Sequence, residues 1–129
     1  MTTLNKSELF QSLPPEWPDD LLPAIQERVS ASGRKIVVLD DDPTGTQTVH
    51  GIPVLTEWTT DRLRAEFDTP QSCFYILTNS RSLPLADAQT LNADIGSNLT
   101  AAAEATGRPF VVVSRSDSTL RGHFPGEVD

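Results

Sequence analysis

Residues 35 to 45 read Lys-Ile-Val-Val-Leu-Asp-Asp-Asp-Pro-Thr-Gly, and this stretch decides the fold. Ile36, Val37, Val38 and Leu39 make a short apolar, β-branched run of the kind that forms a strand. It passes without a break into three carboxylates, Asp40, Asp41 and Asp42, and then into a Pro-Thr-Gly turn. At an effective dielectric of about 20, two carboxylates roughly 6 Å apart repel by about 3 kcal/mol, a large share of a domain stability of roughly 5–15 kcal/mol. Such a cluster at a strand end needs solvent, a cation or a function.

Downstream, the same grammar repeats. IPVLT (52–56) and CFYILT (73–78) are further strand candidates, separated by a helix around Thr60–Phe67. A long helix follows from about Pro84 to Thr106, with Ala88, Leu91, Ile95, Leu99 and Ala102 on one face, and PFVVVS (109–114) closes the series. Strands alternating with amphipathic helices imply βαβ units, hence an α/β fold with a mostly parallel sheet flanked by helices, a Rossmann-like open sheet. It is expected to be incomplete at the C-terminus, because the loop after the last strand reaches Asp129 before any covering helix. Upstream, residues 1–33 form an N-terminal helical lead-in and 34–129 the α/β domain. The lead-in is polar and proline-rich (LPPEWPDD), then helical, with Leu21, Leu22, Ile25 and Val29 at helical spacing. Asp20 suits its N-cap, Pro23 its first turn and Gly33 its end.

The chain has 129 residues, a net charge of -8 and 37% hydrophobic residues, which suits one soluble globular domain. Its pI near 4.6 argues against nucleic acid and anionic membranes, which demand a basic footprint. No apolar run approaches the ~20 residues that span a bilayer. The start, MTTLNKSELFQ, lacks the basic and apolar regions of a signal peptide, so the expected location is cytoplasmic. The single cysteine, Cys73, excludes an internal disulfide and reads as a small apolar residue opening a strand. Trp17 and Trp58 read as packing anchors, and His50 with Gly51 as part of the connection into IPVLT. His123 is either a ligand contact or a locally bonded loop residue.

In an open parallel sheet, ligands bind beyond the carboxyl ends of the strands. Three strands here end in polar loops: DDDPTGTQT, TNSRS and SRSDSTLRG. Right-handed crossovers bring all three to one edge, where the acidic triplet is expected to face Arg81, Arg115 and Arg121. Carboxylates opposite guanidinium groups suit a polyhydroxylated anion. Arginine grips a carboxylate or phosphate with two parallel bonds, and an aspartate can take the proton of a hydroxyl.

Two families offer sharper readings. Asp40-x-Asp42-x-Thr44 after an apolar strand, with TNS after CFYIL, resembles the haloacid dehalogenase phosphatases. That resemblance implies Asp40 as nucleophile, Asp42 as acid/base and bound Mg²⁺, and it leaves SRSDSTLRGHFPGE unexplained. DDDPTG, TNSR and SRSDSTLRG, in that order and each after a strand, resemble the amino-terminal domain of the four-carbon acid sugar kinase family. This second likeness runs from about Lys35 to Glu127 and includes the long motif Arg115-Ser116-Asp117-Ser118-Thr119-Leu120-Arg121-Gly122.

The kinase resemblance implies a domain that binds a four-carbon sugar acid (threonate, erythronate or 3-oxo-tetronate), while a separate carboxyl-terminal domain binds most of the ATP. The family's two aspartates, variable residue and Thr-Gly fall on Asp41, Asp42, Thr44 and Gly45. It implies Asp41 or Asp42 as the base that orients and deprotonates the attacking hydroxyl, with Asp42 also as the Mg²⁺ contact. Arg81 and Arg121 would grip the substrate carboxylate, beside Arg115. Asn79, Ser80, Asp117 and Ser118, with Thr119, would read hydroxyls. Gly45 and Gly122 would let the backbone approach the ligand. Family members are much longer two-domain chains, so the chain is expected to be a fragment, or to work with a nucleotide-binding domain in cis or in trans. A non-catalytic sugar-acid-binding remnant is the third alternative.

Overall fold

A computed structural model describes residues 5–116 and 121–128. Its helices are α1 (Lys6–Gln11), α2 (Leu22–Ser32), α3 (Thr60–Phe67) and α4 (Leu85–Thr106), and its strands β1 (Lys35–Asp40), β2 (Val54–Leu55), β3 (Cys73–Leu77) and β4 (Phe110–Arg115). Short 3₁₀ turns at Gly45–Thr48 and Ser80–Ser82 follow β1 and β3. The strands lie in the order β2-β3-β1-β4, and every pairing is parallel. The α/β sheet expected from the sequence is therefore what the chain builds.

Register fixes which residues share a face. Val37 stands opposite Phe74 and Leu39 opposite Ile76. These four residues meet Leu63 and Phe67 of α3 and Ile95, Leu99 and Ala102 of α4 in one core. The helical stripe read along α4 is the buried one: Ala88, Ile95, Leu99 and Ala102 are buried, and Leu91 packs at the margin. Thr59 caps α3, its Oγ1 accepting from the Arg62 amide at 3.3 Å. Phe67 stands edge-to-face against both Phe74 and Phe110. The strand expected at IPVLT shrinks to Val54–Leu55, since Pro53 has no N–H to give to a ladder.

The lead-in carries the expected helix from Leu22, with the Asp20 carboxylate accepting from the Leu22 amide at 3.0 Å and Gly33 closing it at φ 62°. A short helix precedes it, α1, capped by Asn5. Neither helix buries a residue. Trp58 packs against the core as expected. Trp17 does not: it is 72% exposed, because the proline-rich stretch around it contains no buried residue and seats on nothing. No helix among the described residues is long and apolar enough to cross a membrane.

Candidate functional site

The triplet after β1 is relieved by the alternation of the strand itself. Successive residues point to opposite faces, so Asp40 and Asp41 part company. Asp40 shares register with Arg115 at the end of β4, and its Oδ1 lies 3.4 Å from Arg115 Nη1. Asp41 turns to the face that carries α4 and lines a cavity there. Asp40 and Asp41 thereby meet different guanidinium groups, Arg115 and Arg81, instead of each other.

Arg81, in the turn after β3, holds the other two. Its Nε donates to Asp41 Oδ2 at 3.1 Å and its Nη2 to Asp41 Oδ1 at 2.7 Å, a two-point grip. Nη1 reaches Asp42 Oδ2 at 3.3 Å. Backbone bonds lock this pairing in place, since Thr78 N donates to Asp40 O and Arg81 N to Asp41 O. Asp42 also folds back on its own turn: its Oδ1 accepts from the Thr44 amide at 2.8 Å and from Thr44 Oγ1. Those two bonds, with Arg81 and Arg121 nearby, hold the Asp42 carboxyl below its ordinary pKa.

Asp40 is fully buried. Burial pushes its pKa up, against the pull of Arg115. Its Oδ2 is buried and has no hydrogen-bond partner among the described residues. Gly45 seals the pair, because a Cβ at that position would overlap both Asp40 carboxylate oxygens and Arg115 Nη1. The turn needs glycine for closeness of approach, not for an unusual φ. A carboxylate so enclosed is badly placed to attack a phosphoester, which speaks against Asp40 as the nucleophile of a phosphatase.

The sequence candidates sort as follows. Asp41, Asp42, Thr44 and Arg81 form one bonded group, and Gly45 and Arg115 form a second with Asp40. Ser80 is buried beside Asp41 on the cavity wall. Asn79 is exposed. It adopts φ 53° and accepts from the Ser82 amide and hydroxyl, so it shapes the turn. Arg121 is exposed and lies near enough to Asp42 to affect its charge, and Gly122 is half-buried. Asp117, Ser118 and Thr119 lie outside the described residues. His123 Nε2 bonds Leu83 O at 2.7 Å, the local role.

The carboxyl ends of β1, β3 and β4 do open on a cavity, of about 520 Å³, within the range of small-molecule sites. Leu39, Ile95, Leu99 and Val112 contribute its apolar lining, Ser114 comes from the end of β4, and Asp41, Thr78, Ser80 and Ser116 come from the segments just beyond the strands. Six polar members were not among the candidate residues read from the sequence: Thr78, Ser114 and Ser116 at the strand ends, Gln89 and Asn92 of α4, and Glu127. Gln89, Asn92 and Gly96 repeat at helical spacing beside the apolar stripe, a signal that becomes legible only once α4 is known to cross this edge. Glu127 accepts from Ser80 Oγ at 3.1 Å through Oε2.

As arranged, the carboxylates suit hydroxyls and guanidinium groups better than a resident metal. Both oxygens of Asp41 and both of Asp42 are already engaged, and no group of three acidic, histidine or cysteine side chains among the described residues converges as a metal site would require. A family model described as sugar-binding N-terminal domain matches residues 36–129. No curated protein and no solved structure matches the chain.

Proposed function

Because the chain belongs to the family of sugar-binding N-terminal domains, we propose that it is the substrate-binding part of an ATP-dependent kinase acting on a four-carbon sugar acid such as threonate, erythronate or 3-oxo-tetronate. The observation that carries this reading is the convergence of three polar strand ends on one cavity, with Arg81 gripping the Asp41 that lines it. Guanidinium groups supply the carboxylate grip, and serine, threonine and aspartate oxygens supply partners for hydroxyls.

In the reaction, a substrate hydroxyl oxygen bonds the γ-phosphorus of ATP as the bond to the departing ADP breaks, and Asp41 or Asp42 takes the hydroxyl proton. Arg81 now holds both aspartates, so a substrate carboxylate competes with them for its donors. Winning that competition fixes the ligand and loosens the base in one step. The nucleotide would be held mainly by a nucleotide-binding domain in cis or in trans, and Mg²⁺ bound with the ATP phosphates would offset their charge. Asp42 would have to leave Arg81 to contact it. The reading also places the protein in the cytoplasm and assigns residues 1–33 to a peripheral lead-in and 34–129 to the sugar-binding domain.

Calorimetric titration of the protein with threonate and erythronate tests the first half of this reading, and ATP consumption that requires both the sugar acid and the nucleotide-binding domain tests the second. Binding without turnover in the presence of that domain would leave a sugar-acid-binding protein and remove the kinase.

A further inference from the structure

We propose that the cavity between α4 and the strand ends is a subsite for the uncharged, hydroxyl-bearing carbons of the ligand, with Glu127 as its principal hydroxyl acceptor. The inference rests on the sugar-binding reading above and adds an orientation and a residue to it.

Charge comes first. The lining includes two carboxylates, Asp41 and Glu127, and no lysine or arginine. An anionic group placed inside would face the Glu127 carboxylate and an Asp41 carboxylate already paired with Arg81, with no lysine or arginine in the wall to receive it. The guanidinium of Arg81 stands on the far side of Asp41, gripping it from outside the cavity lining. A sugar acid therefore sits with its carboxylate toward Arg81 and its carbinol carbons inside.

Glu127 then has an unfilled role. Ser80 satisfies Oε2, but Oε1 is buried and has no hydrogen-bond partner among the described residues. A buried carboxylate oxygen without a donor is costly, and the terminal torsion of glutamate is soft. A small turn about it presents Oε1 to the cavity, where a ligand hydroxyl is the donor it lacks. The neighbouring segment is anchored for this purpose: Gln89 Nε2 of α4 donates to Gly126 O at 2.6 Å, tying the residue before Glu127 to the helix. Asn92 stands one turn further along the same wall, its amide nitrogen donating to Ala88 O at 2.9 Å. Below them, Leu39, Ile95 and Leu99 offer the apolar surface on which the C–H side of a carbon chain can rest.

The test is calorimetry on the full chain with three probes: threonate, butanoate (the same carboxylate without hydroxyls) and the neutral tetritols erythritol and threitol. The parent should bind threonate more tightly than butanoate. Glu127→Ala should weaken threonate about tenfold, the scale of one charged hydrogen bond, and leave butanoate unchanged, so that the discrimination collapses. Glu127→Gln, which keeps a carbonyl acceptor, should recover part of it. Asn92→Leu, a helix-compatible change that fills the cavity without touching Glu127, should also weaken threonate selectively, which keeps the proposal testable if the Glu127 variants fail to fold. Threonate binding by folded Glu127→Ala at parental strength would overturn the subsite while leaving the sugar-acid reading intact. Tetritol binding that depends on Glu127, without any binding of sugar acids, would retain the subsite and overturn the sugar-acid reading. No binding of either class by the parent overturns both.

Discussion

Arg81 grips Asp41 at two points, Nη2 to Oδ1 at 2.7 Å and Nε to Oδ2 at 3.1 Å, and so ties the turn after β3 to the loop after β1. Asp41 is buried, while the arginine keeps some exposure. The planar fork can make both bonds at once and a lysine ammonium cannot. Arg81→Lys is therefore expected to lose about 1–3 kcal/mol of stability, the scale of one charged hydrogen bond left unmade at a buried partner, and to weaken sugar-acid binding. Urea denaturation and calorimetry on the same variant check both. Unchanged stability would mean that the bridge between the loops is ornamental.

Gly45 lies against the pair formed by Asp40 and Arg115. Any side chain here must push the turn away from the carboxylate or break the pair. Gly45→Ala is expected to destabilise by about 1–3 kcal/mol, as overpacking does elsewhere, which corresponds to a fall in melting temperature of roughly 4–8 °C per kcal/mol for a domain of this size. The backbone conformation at Gly45 does not itself demand glycine, so Gly45→Ala probes closeness of approach alone.

Asp40 carries a pH signature. Burial raises its pKa more than Arg115 lowers it, so the native chain holds this proton more tightly than the unfolded chain does. Its contribution is then most favourable below the ordinary carboxyl range and falls as pH climbs through that range toward the raised native value. Asp40→Asn cannot ionise. It is expected to be at least as stable as the parent at pH 7 and to lose any advantage by about pH 3–4. Denaturation curves at the two pH values decide it, and a variant markedly weaker at pH 7 would show that the Arg115 pair outweighs burial.

Asp42 runs the opposite way. The Thr44 hydroxyl and amide hold its pKa down, so its contribution is present above the ordinary carboxyl range and is lost as pH falls through the depressed value. Thr44→Val removes the hydroxyl bond and keeps the amide one. The Asp42 carboxyl should titrate at a higher pH in Thr44→Val, measured by carbon NMR of the labelled side chain, with its contribution lost earlier on acidification.

Most of the framework was legible because it rests on short-range pattern. The period of Ala88, Ile95, Leu99 and Ala102 gave α4 its buried face, and the β-branched runs gave β1, β3 and β4. The three polar strand ends followed from parallel topology. What one sequence could not give is pairing at a distance. That Asp40 and Asp41 diverge to different guanidinium groups depends on register with β4 and on the turn after β3. The place of Val111, Val112 and Val113 on an edge strand, each 41–44% exposed, depends on strand order, since an edge and a central strand can share a composition. Glu127 was passed over because nothing local distinguishes it from a surface glutamate.

Lys35 was hidden for the same reason. It opens β1 as an apparently ordinary lysine, yet it is fully buried. Its Nζ donates to Thr69 Oγ1 at 2.8 Å, to Thr69 O at 3.2 Å and to Gln71 O. Arg108 clasps the same segment from the other side, its Nη1 donating to Phe67 O at 2.8 Å and Thr69 O at 2.6 Å. The two cations staple the link between α3 and β3 to the amino-terminal end of the sheet, far from the ligand edge. Burial, with Arg108 beside it, lowers the Lys35 pKa, so the charge is held at some cost that its three acceptors offset. Lys35→Met keeps the apolar stem but leaves Gln71 O and the Thr69 oxygens without that donor. Methionine should cost about 1–3 kcal/mol, the scale of hydrogen bonds from a charged donor lost at part-buried acceptors, read from urea denaturation, while threonate affinity stays at the parental value. A methionine variant of parental stability would mean that burying the charge costs as much as its bonds return; loss of binding would mean that this end of the sheet is coupled to the site.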